Sequence, residues 1–268
     1  MKEEINYEEL ASRCELRVED LRRFLRLAMA NHVFQEPRSN VVAHSAMSRI
    51  LVDLPALHDW IGLVCEDMLT ASVYCIDAMR KWPGSCAPAH TGFALSRGTE
   101  TDFFDELGRD PLRASRFAAG MKFNNSASAL DPAFVVNNVP GIKDSPPVIL
   151  VDIGGSHGST AIELLKRFPH IRECVVQDLP EVIAGAGVPS EVDGRLKFQE
   201  YDFFREQSTK GADVYFLRMV LHDWPDDKAI AILESQVPAM APQSRLILNE
   251  ICLPDPGVLT CYQEQFLR

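Results

Sequence analysis

The sequence predicts an α/β fold in which a doubly wound, mostly parallel sheet follows a helical region with the element order of a winged helix. Residues 148–252 alternate short β-rich runs with segments whose apolar residues have helical spacing, which is typical of a parallel sheet covered by helices. Within this stretch, Val148–Ile153 leads directly into a glycine-rich turn and a helical pattern. Two helical patterns and a hairpin pattern precede it near the N-terminus, and they predict the helical region.

Composition excludes several classes of protein. The 268 residues are 46% hydrophobic and 24% charged, an ordinary globular composition that allows a large core. A net charge of −11 disfavours nucleic-acid binding, which needs clustered lysine and arginine. Neither a long apolar span nor a signal peptide is visible, so we expect a cytoplasmic protein that binds neither nucleic acid nor a membrane. The seven scattered cysteines contain no C-x-x-C pair and predict reduced core thiols rather than a metal site.

The N-terminal region predicts a packing module. A helix begins after Asn6, a second covers Leu16–Asn31, and the β-rich pairs Val33–Phe34 and Val41–Ala43 flank a polar turn. The arginines of the second helix are interrupted by acidic residues, and the overall charge is acidic. These features favour a packing and dimerisation role over DNA binding, although the element order suits both.

Helices continue through the middle of the chain. Pro55–Trp82 predicts one long, largely apolar helix that ends at Pro83-Gly84, and we expect it to contribute to a homodimer interface. Further helices are predicted over residues 102–107 and 112–130.

A proline- and glycine-rich segment, Asn137–Pro147, is the predicted linker. It separates a winged-helix-like, helical dimerisation and substrate region over residues 1–140 from a ligand-binding domain over residues 147–268. Five strands are predicted in the second domain, and they cover Val148–Ile153, Cys174–Gln177, Leu196–Tyr201, Val214–Leu221 and Arg245–Cys252.

The glycine turn Gly154–Gly158 indicates a nucleotide-like ligand. Its glycines allow close backbone approach, and Asp178, at the end of the next apolar run, suits ribose hydroxyls. A dinucleotide fingerprint needs glycine where this chain has Ser156 and Ser159, and the lysine of a phosphate-binding loop is lacking. An adenosyl ligand without a pyrophosphate fits better, and S-adenosylmethionine is the candidate. An ordinary strand-to-helix turn is the alternative.

Two later strand ends carry further candidate site residues. Asp202 can accept a hydrogen bond from the amine of an adenine, and Phe203 can cover its ring, although a turn aspartate and a core phenylalanine are equally compatible. His222 follows the fourth strand, where a neutral imidazole could take a proton from a substrate hydroxyl; a structural histidine is the alternative. Asp226 and Asp227 favour helix capping over metal binding, and we predict no metal.

The ordered set of these segments resembles the plant-type (caffeic-acid-like) O-methyltransferase family. More narrowly, it is similar to the fungal secondary-metabolism branch, which methylates phenolic polyketides. The resemblance covers nearly the whole chain and is carried by Val151–Gly158, Asp178–Pro180, Asp202–Phe204, Leu221–Trp224 and Leu248–Pro254.

The resemblance implies a role for each matching residue. His222 matches the general base, and Glu250 matches a carboxylate that orients it. Phe117 and Met121 match residues that hold the aromatic acceptor, although their spacing by itself is typical of a core. The positions implied around S-adenosylmethionine, together with the other loop glycines, are Gly154, Gly155, Gly158, Asp178, Leu179, Asp202, Phe203 and Arg218.

The chain also departs from the family pattern. It looks truncated at both ends, since family members carry more helices before the winged-helix region and continue past Arg268 with a lid and a second carboxylate beside the base. We therefore expect weak or no turnover from this chain. Two alternatives to a methyltransferase stay open: an inactive pathway partner or coactivator, and a methyltransferase-like pericyclase.

Overall fold

The computed structural model describes residues 4–125, 134 and 148–260, and the chain divides into two compact units. The first unit contains residues 1–69 and 115–124, and the second contains residues 70–114 and 125–268. The predicted linker Asn137–Pro147 lies outside the described residues. The predicted boundary between residues 140 and 147 therefore stays a prediction.

The first unit begins with an antiparallel sheet and two helices. Asn6 caps the first helix by accepting a hydrogen bond from the amide of Glu9 at 2.7 Å, which confirms the predicted helix start. The hairpin is confirmed, but its first strand is shifted toward the turn, and an unpredicted strand at the N-terminus pairs with its second strand. The elements are β1 (Glu4–Asn6), α1 (Tyr7–Arg13), α2 (Val18–Ala30), β2 (Gln35–Arg38) and β3 (Val41–Ala43), with the sheet order β1-β3-β2.

The core of this sheet and these helices forms around Tyr7. Its ring is fully buried, and its hydroxyl donates a hydrogen bond to Oε2 of Glu36 at 3.2 Å. The apolar residues that bury it come from both helices and from β3, and they are Ala11, Leu21, Leu25 and Val42.

The prediction of a single helix over residues 55–82 is wrong. After α3 (Ala46–Asp53), this stretch consists of α4 (Pro55–Leu63), a π-helical segment (Val64–Met68), α5 (Leu69–Val73) and α6 (Cys75–Lys81). The break after α5 has a long-range cause. A Cβ built on Gly92 would lie 2.2 Å from the carbonyl oxygen of Ala71, so the two backbones are in direct contact there. The amide of Tyr74 bonds that same carbonyl three residues back, at 3.1 Å, instead of continuing the α-helical pattern.

The next helices largely agree with the sequence. They are α7 (Gly92–Arg97), α8 (Phe103–Arg109) and α9 (Pro111–Asn125). Asp102 caps α8 by accepting a hydrogen bond from the amide of Asp105 at 2.8 Å. The predicted continuation of α9 over residues 126–130 lies outside the described residues.

The second unit contains the predicted parallel sheet. Its strands are β4 (Val148–Ile153), β5 (Ile171–Asp178), β6 (Leu196–Glu200), β7 (Val214–Arg218) and β8 (Arg245–Asn249). Their spatial order is β6-β5-β4-β7-β8, and every neighbouring pair is parallel. The helices that connect them include α10 (Ser159–Arg167), α11 (Pro180–Ile183) and α12 (Asp226–Gln236).

Both faces of this sheet are buried, which confirms the doubly wound fold. Successive residues of β7 alternate between the two cores: Phe216 packs with the cluster that contains Leu165 of α10, and Tyr215 with the cluster that contains Ile232 of α12. The chain order of the strands reverses between β4 and β7, which are neighbours. In such sheets the ligand crevice lies outside the carboxyl ends of the strands at this switch point.

The prediction of core cysteines is wrong, since Cys174 is the one buried thiol among the six described cysteines, and Cys261 lies outside the described residues. Burial raises the pKa of the Cys174 thiol. No helix among residues 4–125 and 148–260 is long and apolar enough to span a membrane.

Candidate functional site

The glycine loop after β4 is folded back onto β5. The amides of Gly154 and Gly155 both donate to the carbonyl oxygen of Gln177, at 2.8 and 3.2 Å. Gly154 and Gly158 both have φ of +72°, a conformation that side chains with a Cβ rarely adopt. The loop thus lies directly over the carboxyl ends of the two central strands.

Space as well as conformation requires glycine in this loop. A Cβ on Gly155 would lie 2.7 Å from Oδ2 of Asp152, and one on Gly154 would lie 2.9 Å from a methyl carbon of Val220. The second contact joins the loop to the segment that follows β7. The two strand ends at the switch point are therefore packed together, as the sheet order requires.

Asp178 closes β5 and holds the glycine loop. Its Oδ2 accepts from the amide of Ser156 at 2.8 Å, and its Oδ1 accepts from the amide of Leu179 at 2.8 Å. Burial raises the pKa of the Asp178 carboxyl, and these two hydrogen bonds partly offset the effect. Asp178 and Leu179 thus lie beside the loop, as predicted, and each carboxylate oxygen keeps a lone pair for a further donor.

Asp152 is a site residue that sequence reasoning missed. It is 2% exposed at the end of β4, and its Oδ2 has no hydrogen-bond partner among the described residues. Burial raises the pKa of this carboxyl to about 7, repulsion from Asp178 adds to the increase, and Arg218 opposes it. The acidic residue in an otherwise apolar strand was the signal that could have identified it.

Asp202 and Phe203 lie in the loop after β6. Oδ1 of Asp202 accepts from the amide of Phe204 at 3.0 Å, so this carboxylate also stabilises its own turn. The Phe203 ring lies beside Gly154, because a Cβ on that glycine would be 3.9 Å from it. Trp224, which sequence reasoning did not select, meets Phe203 edge to face at a centroid distance of 5.8 Å.

Arg218 lies at the end of β7, and its Nη1 donates to Oδ1 of Asn249 at the end of β8. It lies near the same strand ends as the buried Asp152 carboxyl, and its positive charge partly offsets the increase in the pKa of that carboxyl. The predicted cofactor positions on β4, β5 and β7 therefore share one edge of the sheet.

His222 and Glu250 form a direct pair. Nδ1 of His222 lies 2.9 Å from Oε2 of Glu250, while Oε1 of that carboxylate accepts from the amides of Val220 and Leu221, both at 2.8 Å. Because a carboxylate only accepts, we assign the proton of this pair to Nδ1, which leaves the lone pair of Nε2 in neutral imidazole available. The imidazole is 44% exposed, so a substrate can reach it.

Asp223 is a second carboxylate beside the imidazole, and sequence reasoning did not select it. Its Oδ1 lies 3.5 Å from Nε2 of His222. Burial raises the pKa of Asp223, the neighbouring His222 opposes that increase, and Glu250 adds repulsion. The imidazole therefore has a carboxylate near each nitrogen.

The predicted acceptor residues belong to a different part of the chain. Phe117 and Met121 lie on α9 within the first compact unit, whereas the residues described above belong to the second. Their role in acceptor binding stays a prediction. Among the described residues, no three histidine, cysteine, aspartate or glutamate side chains are grouped as metal ligands.

The sheet order and the edge site place the chain among α/β proteins whose ligands bind at the carboxyl edge of a parallel sheet. A family described as "O-methyltransferase domain" matches residues 91–262, more than half of the chain. The chain therefore belongs to the O-methyltransferase family.

Curated relatives agree with this family. The chain is 39% identical over 266 residues to O-methyltransferase kk1A of Curvularia clavata, and the match covers 99% of this chain and 62% of that protein. It is 36% identical over 271 residues to the chlorophenol O-methyltransferase of Trichoderma longibrachiatum, with 98% and 58% covered. The chain thus spans about 60% of the length of these relatives.

Solved structures have the same fold. The structure titled "A Pericyclic Reaction enzyme" is 26% identical with a TM-score of 0.77, and the match covers 96% of this chain and 67% of that one. The structure of LepI in complex with SAM is 25% identical, with a TM-score of 0.77 and the same coverage.

Proposed function

We propose that this protein is an S-adenosylmethionine-dependent O-methyltransferase that acts on a phenolic or enolic hydroxyl group. The observation that carries the proposal is the imidazole of His222, held by Glu250 at the sheet edge next to the glycine loop, in a chain of the O-methyltransferase family. Membership of the family supports the reaction class, and the pair supplies a base for it.

The residues at the sheet edge fit this cofactor. The glycine loop, Asp178 and Leu179 would hold its nucleoside and amino-acid parts, and Asp202 with Phe203 would hold the adenine. The cofactor carries positive charge, and Oδ2 of the buried Asp152 carboxyl lacks a hydrogen-bond partner among the described residues at this edge. The relative titled as a complex with SAM supports the same assignment. When bound, this cofactor supplies an electrophilic methyl group.

The chain's own contribution to the reaction is a proton acceptor in the right tautomer. Nδ1–H of His222 donates a hydrogen bond to Glu250, so the free lone pair is on Nε2, which would face the acceptor hydroxyl. As the hydroxyl proton moves to Nε2, the imidazole becomes positively charged, and Glu250 and Asp223 stabilise that charge from both sides. Deprotonation makes the acceptor oxygen nucleophilic. Positioning of that oxygen relative to the methyl group contributes the rest of the rate enhancement.

The proposal also covers the methyl acceptor, the oligomeric state and the cellular location. A relative named for chlorophenol supports a phenolic acceptor. We propose that this acceptor is of the polyketide type and that Phe117 and Met121 contact it. We propose a homodimer, because apolar side chains of α5 and α6 are exposed in the single chain. A cytoplasmic location is part of the same proposal.

Methyl transfer from labelled S-adenosylmethionine to a panel of phenolic polyketides tests this proposal. We expect a low level of label in at least one product, attached through oxygen. A wild-type protein that binds S-adenosylhomocysteine in a calorimeter and labels none of the panel would contradict methyltransferase activity and favour an inactive partner.

A pericyclase is the second candidate, because a structure titled as a pericyclic reaction enzyme matches nearly the whole chain. A pericyclic rearrangement leaves the mass of the substrate unchanged and consumes no cofactor, whereas methylation adds a methyl group in place of a proton. Mass spectrometry of the same assay mixtures separates the two reactions.

A further inference from the structure

Three glutamine side chains are fully buried in the second unit, and nothing in the proposed reaction uses them. Gln177, Gln207 and Gln236 each have 0% exposure. A buried amide costs free energy unless its donors and acceptors are all paired, so three together indicate a specific arrangement. They come from different elements: the end of β5, the loop after β6 and the end of α12.

The three amides form one connected chain of hydrogen bonds. Gln177 and Gln207 form a reciprocal pair, in which each Nε2 donates to the other's Oε1 at 2.9 Å. Nε2 of Gln207 also donates to Oε1 of Gln236 at 2.8 Å. Because an amide has only two N–H donors, this arrangement uses both donors of Gln207.

The chain of amides ends on the segment that carries Asp202 and Phe203. Nε2 of Gln236 donates to Oγ of Ser235 at 2.7 Å, and the single proton of that hydroxyl can go to the carbonyl oxygen of Phe203 at 2.7 Å or to that of Ile232 at 2.8 Å. The amide of Gln207 donates to the carbonyl oxygen of Ser235 at 2.9 Å, which ties the loop to α12 a second time.

The loop itself lacks regular structure. Residues 202–210 form neither helix nor strand, and Gln207 is buried between exposed neighbours, Glu206 and Ser208. Such a segment takes its conformation from the contacts of its few buried groups. The buried amide of Gln207 is therefore one anchor of this loop, beside the hydroxyls of Tyr201 and Tyr215, which donate to the carbonyl oxygens of Arg205 and Thr209 at 2.7 and 2.8 Å.

Gln177 connects this anchor to the rest of the edge site. Its carbonyl oxygen accepts the amides of Gly154 and Gly155, while its side chain bonds Gln207, and Asp178 is its neighbour in sequence. One residue thus contacts the glycine loop through its backbone and the loop after β6 through its side chain.

We propose that Gln177, Gln207 and Gln236 are positioning residues that hold the Asp202–Phe203 segment at a fixed distance from the glycine loop, and so select an adenosyl group between them. The inference rests on the proposed function, because it assigns the adenosyl part of the cofactor to this space. The network does not include His222 or Glu250, so it acts on cofactor affinity and leaves proton transfer unchanged.

Calorimetry with S-adenosylhomocysteine on the whole chain tests the proposal. The variants are Gln207→Leu, which removes the central amide, and Ser235→Ala, which removes only the last hydroxyl. Ile171→Val is the control, since Ile171 is fully buried at the opposite end of β5 and loses one methyl group. We expect about tenfold weaker binding for both test variants, which corresponds to about 1.4 kcal/mol, and wild-type affinity for the control.

A double-mutant cycle separates positioning from general destabilisation. In an Asp202→Ala background, Gln207→Leu should weaken binding by less than about threefold. The reason is that Gln207 acts on binding through the Asp202–Phe203 segment, which Asp202→Ala has already altered. In turnover assays, KM for S-adenosylmethionine should rise about tenfold in the Gln207→Leu variant while kcat stays within about threefold.

The possible failures are distinguishable. Wild-type affinity in both test variants, or full additivity in the cycle, would overturn the positioning role while leaving the proposed function intact. If Gln207→Leu does not fold, Ser235→Ala decides by the same criterion. Absence of S-adenosylhomocysteine binding by the wild type would overturn the proposed function and this inference with it.

Discussion

Asp152 shows how a single buried carboxyl links the site to stability. Its pKa in the folded protein is about 7, above the value of about 3.9 expected in an unfolded chain. Below the unfolded pKa both states are protonated and no penalty exists. As pH rises toward 7, the Asp152 carboxyl ionises in the unfolded chain but stays mostly protonated in the folded protein. The ligand-free fold therefore loses stability by up to about 1.4 kcal/mol per pH unit.

The Asp152→Asn variant tests this pH dependence, because an amide does not titrate. We expect the difference in unfolding free energy, variant minus wild type, to rise by up to a few kcal/mol between about pH 4 and about pH 7. Above about pH 7 this difference should change little. Urea denaturation of both proteins without cofactor at several pH values measures this difference. A difference that stays constant with pH would show that Asp152 ionises normally in the fold.

Gly155 offers a steric test of the glycine loop. Gly155→Ala would place a methyl group 2.7 Å from Oδ2 of Asp152 and 2.9 Å from a methyl carbon of Val176, both in a closely packed region. We expect a loss of about 1–3 kcal/mol in unfolding free energy, measured by urea denaturation. Gly187→Ala is the matched control, because a Cβ there has no neighbour within 4 Å among the described residues. Equal stability of the two variants would contradict the packing of the loop.

At the scale of elements, the presence of the five strands was predictable because their signal is local, but β7 and β8 end three residues earlier than predicted, at Arg218 and Asn249. Val148–Ile153 was predicted with its observed bounds, since a run of apolar, mostly β-branched residues buried on both faces needs no distant information. His222 and Glu250 could be assigned from a family resemblance, but their pairing depends on β7 and β8 being neighbours in space.

Features set by distant contacts could not be predicted from local patterns. The break between α5 and α6 depends on the close approach of Gly92 to Ala71, and the glutamine network depends on three elements meeting. Glutamine is compatible with both surface and interior, so nothing in the sequence near Gln207 distinguishes a buried anchor from a solvated loop residue.

The exposed face of α5 and α6 leads to a prediction about assembly. Val73, Ile76 and Met79 lie three residues apart, with 72%, 56% and 63% of their surface exposed in the single chain. If this face forms a homodimer interface, Ile76→Glu should convert dimer to monomer in light scattering, because a buried charge is costly. Val258→Glu, at a site 67% exposed in the C-terminal part of the second unit, is the control. A wild-type monomer at high concentration would contradict the dimer.

At the scale of the whole molecule, the chain combines a doubly wound sheet with a site at its carboxyl edge. The glycine loop, Asp178, Asp202, His222 and Glu250 come from the ends of all five strands of the sheet or from the loops that follow them. Such an arrangement supports ligand binding and proton transfer within one crevice. The proposed methyltransferase activity needs both at once.

The rate of methyl transfer by the His222→Ala variant tests this account most directly. In a version of the protein with the full length of its relatives, we expect cofactor affinity equal to that of the wild type and turnover reduced by about 10²–10⁴-fold, the usual contribution of a general base. His58→Ala, which alters an exposed histidine on α4 in the first unit, should keep wild-type turnover. Full turnover by the His222→Ala variant would contradict the role of the His222–Glu250 pair and make that histidine structural.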